Sequence, residues 1–136
     1  MAKFENAYTK TAANEGGYAN DPNDKGGETW KGIARKANPG WQGWVVIDSY
    51  RNLPDFPKIL YGVELLESLV RSLYRIKYWD EIQGDYILNQ GIADSIYDSA
   101  VNMGPSRAIK LAQKALGLKE SGKMDQVTLD RLNNKV

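Results

Sequence analysis

Apolar and polar positions alternate along this chain in helical rhythm, apart from one turn-rich interval near the start. Phe4, Ala7, Tyr8, Thr11, Ala12 and Glu15 recur at three- and four-residue steps and predict a helix over 3–15, with Glu15 on its apolar stripe. Gly16 and Gly17 follow at once and supply the residues that end helices. The next stretch, YANDPNDKGGETWKGIA (18–34), strings Asp-Pro, Asn-Asp and Gly-Gly turn signals between short segments, which predicts a small hairpin or β-meander. Residues 36–62 mix Pro, Gly and aromatics and read as turns around one or two irregular helical pieces, with Trp41 and Trp44 among them.

Helical spacing then returns. Leu65, Leu66, Leu69, Leu73 and Ile76 predict a helix over 63–78. Ile92, Ala93, Ile96, Tyr97, Ala100 and Val101 predict another over 87–103, apolar on several faces as in the middle of a bundle. Gly104 and Pro105 stop it, and Ser106 is expected to cap a helix whose stripe of Ile109, Ala112, Gln113 and Leu116 ends at Gly117. A short last helix is predicted over 125–133. The expected fold class is mainly α, a helical bundle with one small β-hairpin after the first helix.

Composition narrows the chemistry. With 136 residues, 42% of them hydrophobic, the chain has the core of one domain. Its 18 basic and 17 acidic residues produce no large field, so no nucleic-acid partner is expected. The absence of cysteine removes disulfides, thiol nucleophiles and thiolate metal sites, and the absence of histidine removes the imidazole base and imidazole ligands. Proton transfer is left to carboxylates, Lys or Tyr. Residues 1–11 contain no apolar signal region, and no stretch approaches the roughly 20 apolar residues of a membrane span.

Glu15 is the first candidate. Burial on an apolar stripe and the negative end of a helix dipole both favour its protonated form, which suits a general acid that donates to a leaving oxygen. The same spacing equally suits a Glu turned into solvent at a helix end. A second carboxylate, to activate water or stabilise an oxocarbenium-like centre, could come from Asp21, Asp24 or Glu28. Asp24, nine positions after Glu15, is the favoured one, and Thr29 offers a hydroxyl to orient water or substrate. Asp and Asn are also ordinary turn formers in such loops. The acidic spacing departs from a calcium loop, so no metal or other cofactor is expected.

These residues carry a resemblance. NEGGYANDPNDKGGETWKGIA (14–34) resembles the signature of the phage and bacterial N-acetylmuramidases of glycoside hydrolase family 108, with its Glu-Gly-Gly-Tyr motif, a following Asp, and a Gly-Gly-x-Thr-x-x-Gly-Ile segment. LYRIKYWDEI (73–82) is similar to that family's Tyr-Arg-x-x-Tyr-Trp helix. IADSIYDSAVNMGPSRAIKLAQKALGL (92–118) is similar to the Asp-x-x-Val-Asn-x-Gly segment that opens its peptidoglycan-binding region. KESGKMDQVTL (119–129) departs from the Asp-Gly-x-x-Gly-x-x-Thr turn common in such regions.

The resemblance implies a lysozyme-like α+β fold in one domain over 1–136, with the catalytic motifs in 1–85 and a helical peptidoglycan-binding-like part in 86–136. It implies Glu15 as catalytic acid, with Asp24 and Thr29 as its partners. The implied activity is hydrolysis of the β-1,4 bond between N-acetylmuramic acid and N-acetylglucosamine, in a protein of endolysin or secretion-activator type. The alternatives are a lytic transglycosylase and a non-catalytic wall-binding module of a phage or secretion system.

A glycan strand would need aromatic platforms edged by polar groups, and Tyr18, Trp30, Trp41, Trp44, Tyr74, Tyr78 and Trp79 are available, most of them expected in the core. The substrate-binding candidates are Tyr18, Asp21, Trp30, Tyr78, Asp98 and Asn102. Lys110, Lys114, Lys119 and Lys123 are expected on a solvated face. A monomer is expected, made in the cytoplasm and acting on peptidoglycan in the periplasm or cell wall after secretion, holin release or lysis.

Overall fold

The computed structural model describes residues 1–12, 16–23 and 26–134. Six α-helices and a three-stranded antiparallel sheet lie among them, in a mainly helical, lysozyme-like arrangement of elements. The order is α1 (Phe4–Ala12), β1 (Tyr18–Asn20), β2 (Glu28–Trp30), β3 (Ile33–Ala34), α2 (Gly43–Tyr50), α3 (Glu64–Tyr74), α4 (Gln90–Met103), α5 (Pro105–Ala115) and α6 (Gln126–Leu132). A 3₁₀ turn at Lys58–Gly62 precedes α3, and a π turn at Arg75–Trp79 follows it directly.

The chain forms two compact units. One comprises Met1–Ala13 with Leu73–Val136, the other Asn14–Ser72. In the first, α1 buries Phe4, Ala7, Tyr8 and Thr11, the face that its spacing announces. Phe4 stands at its centre, with ring centroids 5.5 Å from Tyr8, 5.8 Å from Trp79 and 5.9 Å from Tyr97. A polar rail fixes α1 along α4. Gln90 accepts from the Lys3 amide at 2.7 Å, Asp94 takes the Lys10 ammonium at 2.7 Å, and Asp98 accepts from the Thr11 hydroxyl at 3.2 Å. These three acceptors sit four residues apart on α4 and so share one face.

Two expectations need correction. Helix α3 buries Leu66, Val70 and Tyr74, while Leu65 and Ile76 are 60% and 67% exposed. Its inner stripe therefore keeps Leu66 and then runs one position beyond the expected Leu69 and Leu73. The cap of α5 is Gly104 at φ 94°, not Ser106; Pro105 takes the first helical position, where a missing N–H is harmless. Helix α5 ends as expected at Gly117 (φ 72°), with the Leu118 amide donating to the Gln113 carbonyl at 2.8 Å.

Between α5 and α6 the chain wraps around Gln113, whose side chain is fully buried. Its Oε1 accepts from the Gly122 amide at 3.0 Å, and its Nε2 lies 3.0 Å from Ser121 Oγ, the Lys123 carbonyl and Thr128 Oγ1. Asp125 caps α6 by accepting from the Thr128 amide at 2.9 Å and hydroxyl at 2.6 Å. Lys110, Lys114, Lys119 and Lys123 are exposed, as the sequence suggests.

In the second unit the meander is built by two turns. Asp21 Oδ1 accepts from the Asn23 amide at 2.9 Å and tightens the β1–β2 turn. Lys31 and Gly32, with φ of 47° and 82°, join β2 to β3 as a two-residue hairpin requires. The core of this unit includes Trp30, Ile33, Trp44, Ile47, Leu60, Leu66 and Val70, all buried. Trp44 donates its Nε1–H to the Asn38 carbonyl at 2.9 Å and Trp41 to that of Leu69 at 3.3 Å. Among the described residues no helix is long and apolar enough to cross a membrane.

Candidate active site

The lip that follows α1 is held by one carboxylate. Glu28, on β2, accepts from the Tyr18 hydroxyl at 2.6 Å, from Arg51 Nη2 at 2.7 Å and from Arg35 Nη1 at 3.0 Å. Its side chain is 11% exposed. The two guanidiniums also share Asp48 on α2, which takes both Arg35 nitrogens at 2.9 and 2.8 Å and Arg51 Nη2 at 2.6 Å. The meander and α2 are thereby joined by an alternating network of two carboxylates and two guanidiniums, Arg35 gripping Asp48 with two nitrogens and Arg51 bridging both carboxylates through Nη2.

Electrostatics fixes the protonation of this network. Burial alone would raise the Glu28 pKa, but the hydrogen bonds from Tyr18, Arg51 and Arg35 outweigh it and hold the carboxyl below its ordinary value. Asp48 is held well below the usual range by hydrogen bonds from Arg35 and Arg51. Burial, and then the bond to Glu28, raise the Tyr18 pKa, so its hydroxyl stays protonated as a donor. Glu28 is therefore a carboxylate at neutral pH and has no proton to give to a leaving group.

Each candidate from the sequence can now be placed. Glu15 and Asp24 lie outside the described residues. Thr29 pairs with Ala19 on one side and Ala34 on the other, so its hydroxyl stands between two short side chains. Alternation along β2 puts Thr29 on the opposite sheet face from Glu28 and Trp30, away from the ion network. Tyr18 has its hydroxyl committed to Glu28 and Arg51, and its ring sits edge-to-face on Phe56 at 5.1 Å. Asp21 is exposed at its turn. Trp30 is 1% exposed, and its ring packs edge-to-face on Tyr61 at 5.0 Å.

The remaining three candidates belong to the other compact unit. Tyr78 is half-buried, 5.5 Å from the Tyr74 ring. Asp98 and Asn102 lie one turn apart on α4, and the Asn102 amide donates to Asp98 Oδ2 at 3.3 Å. Asp98 thus links its helix to Thr11 of α1 and steadies Asn102 at the helix end.

Sequence reading placed Glu28 on the lip without a partner, and it missed Arg35, Asp48, Arg51 and Tyr61 as members of the site. The cations are 7 and 23 residues beyond Glu28. Their only signal is the alternation of charge sign once the meander and α2 are stacked.

Comparison with known proteins adds the chemistry. The profile of a family described as Glycosyl hydrolase 108 matches residues 8–104. Among solved structures, that of Brucella abortus SagA is similar, with a TM-score of 0.66 and 28% sequence identity over 98% of this chain and 70% of that one. No curated protein matches. The matched segment contains the whole lip and α4, hence every candidate residue named above.

Proposed function

Because the chain belongs to the glycosyl hydrolase 108 family, we propose that it cuts the β-1,4 bond between N-acetylmuramic acid and N-acetylglucosamine with Glu15 as general acid. The family makes it a glycoside hydrolase of the lysozyme-like, peptidoglycan-cleaving kind. The finer assignment rests on the state of Glu28. Since two guanidiniums and a tyrosine hydroxyl keep that carboxyl ionised, the proton donor of the segment has to be another acid. Glu15, in Glu-Gly-Gly-Tyr, is the one the family resemblance selects.

In this reading Glu15 protonates the glycosidic oxygen as the C1–O bond breaks, and the positive charge growing at C1 is met by Asp24, either directly or through a water that it activates. Thr29, clear of the ion network and flanked by alanines, orients that water or the sugar. The Glu28 network ties the β2 strand that carries Thr29 to α2. Tyr18 serves through Glu28. The chemistry is proton transfer with charge stabilisation and calls on no cofactor. Residues 86–136 are assigned to holding the glycan strand as part of the same domain, and the monomer reaches the wall in the periplasm or cell envelope after release from the cytoplasm.

Digestion of purified peptidoglycan, followed by mass and reducing-end analysis, tests this. Reducing fragments ending in N-acetylmuramic acid are expected. Products with a 1,6-anhydro ring would make the enzyme a transglycosylase, and reducing N-acetylglucosamine ends would move the scissile bond.

A further inference from the structure

The Gly-Gly pair after Glu15 has neighbours that nothing in the ion network uses. Gly17 lies against the hydroxyl end of Tyr61, and a Cβ there would overlap the Tyr61 hydroxyl. The backbone at this point is fixed, because the Gly17 carbonyl accepts from the Lys31 amide at 3.1 Å. Gly16 is different. Its Cβ would meet nothing within 4 Å among the described residues, it lacks a positive φ, and it is exposed. Packing among the described residues explains a glycine at 17 and gives no reason for one at 16.

Tyr61 itself is a large aromatic set in the open. It is 62% exposed, yet its ring is anchored edge-to-face on the buried Trp30 at 5.0 Å and 70°. An anchored ring with a free surface, beside a backbone stripped of side chains, is what a flat sugar ring needs: an apolar face to lie on and room to lie close. The Trp30 Nε1 is buried without a hydrogen-bond partner among the described residues.

We propose that Tyr61, with the bare Gly16–Gly17 backbone, forms a sugar-binding subsite that takes one N-acetylhexosamine ring of the glycan strand next to the bond being cut. The C–H face of the sugar stacks on the exposed face of Tyr61, and the tyrosine hydroxyl lies within reach of its polar substituents. The proposal deepens the glycosidase reading and rests on it for the identity of the ligand.

The test uses the full chain carrying Glu15→Gln, which separates binding from turnover, and a soluble tetrasaccharide of alternating N-acetylglucosamine and N-acetylmuramic acid as probe. Calorimetry should show Tyr61→Ala weakening binding by roughly tenfold and Tyr61→Phe by less than about threefold. Parent-like binding by Tyr61→Ala, or no binding by the parent, overturns the subsite. Should Tyr61→Ala fail to fold, Gly16→Ala decides. It should melt like the parent and bind the probe at least severalfold more weakly, and unweakened binding overturns the proposal. The two readings fail separately. If chain without these substitutions cuts no peptidoglycan while the probe binds through Tyr61, the hydrolase reading falls and the subsite stands. If it cuts and Tyr61→Ala binds unchanged, only the subsite falls.

Discussion

At Glu28, burial and hydrogen bonding pull in opposite directions, and hydrogen bonding prevails. A carboxyl with a depressed folded pKa contributes stability above its ordinary value, 4.5 here, and that contribution is lost as pH falls through the lower folded value. Asp48 behaves in the same way from its ordinary 3.8 downward. Glu28→Gln should therefore cost about 1–3 kcal/mol at pH 7, because it leaves Arg35 and Arg51 facing a neutral amide. Denaturant titrations at pH 7 and pH 3 check this: the gap between wild type and variant should be full at pH 7 and clearly smaller at pH 3. A gap that is constant with pH would mean that packing, not charge, is what the substitution removes. None of this is legible in sequence, where Glu28 is one acid among several in a turn-rich stretch. Glu15 and Thr29 are singled out there by helical spacing, by a hydroxyl on the lip and by the motif they share.

Among the elements, helical spacing announces α1, α4 and α5, although α4 begins at Gln90 and buries one face (Ala93, Ile96, Tyr97 and Ala100) where several were expected. It fails at α3 for a physical reason. Leu66, Val70 and Tyr74 step inward at intervals of four, which would bring Tyr78 next into the core. The π turn instead runs from the Arg75 carbonyl to the Asp80 amide at 2.8 Å, five residues on, and delivers Trp79 there. Tyr78 is left half-buried. No period of apolar residues encodes such an inserted position. The α5–α6 connection shows the converse, a polar residue on an apolar stripe that belongs in the core. Gln113→Leu should strand the Gly122 amide and remove the donor to Thr128 Oγ1, whose own proton stays with Asp125, and cost about 2–4 kcal/mol, with faster amide exchange over 118–128. Asp125→Ala, which removes only the cap of α6, should cost about 1 kcal/mol, with exchange rising only in the first turn of that helix. Equal effects of the two would show that the loop is not organised around Gln113.

For the molecule as a whole, composition already confines acid-base chemistry to carboxylates, lysine or tyrosine, because there is no histidine or cysteine to carry it. The described lip withdraws Glu28 from that set, and the family match covers the segment that contains Glu15 and Asp24. The account stands on Glu15 as the proton donor, and the most direct measurement is the rate at which purified peptidoglycan is cleaved by wild type and by Glu15→Gln, alongside the binding of each to the same material. The account predicts a loss of at least about a hundredfold in cleavage rate, with wall binding and melting temperature unchanged. Cleavage by Glu15→Gln within a few-fold of wild type would contradict it and place the acid elsewhere in the chain.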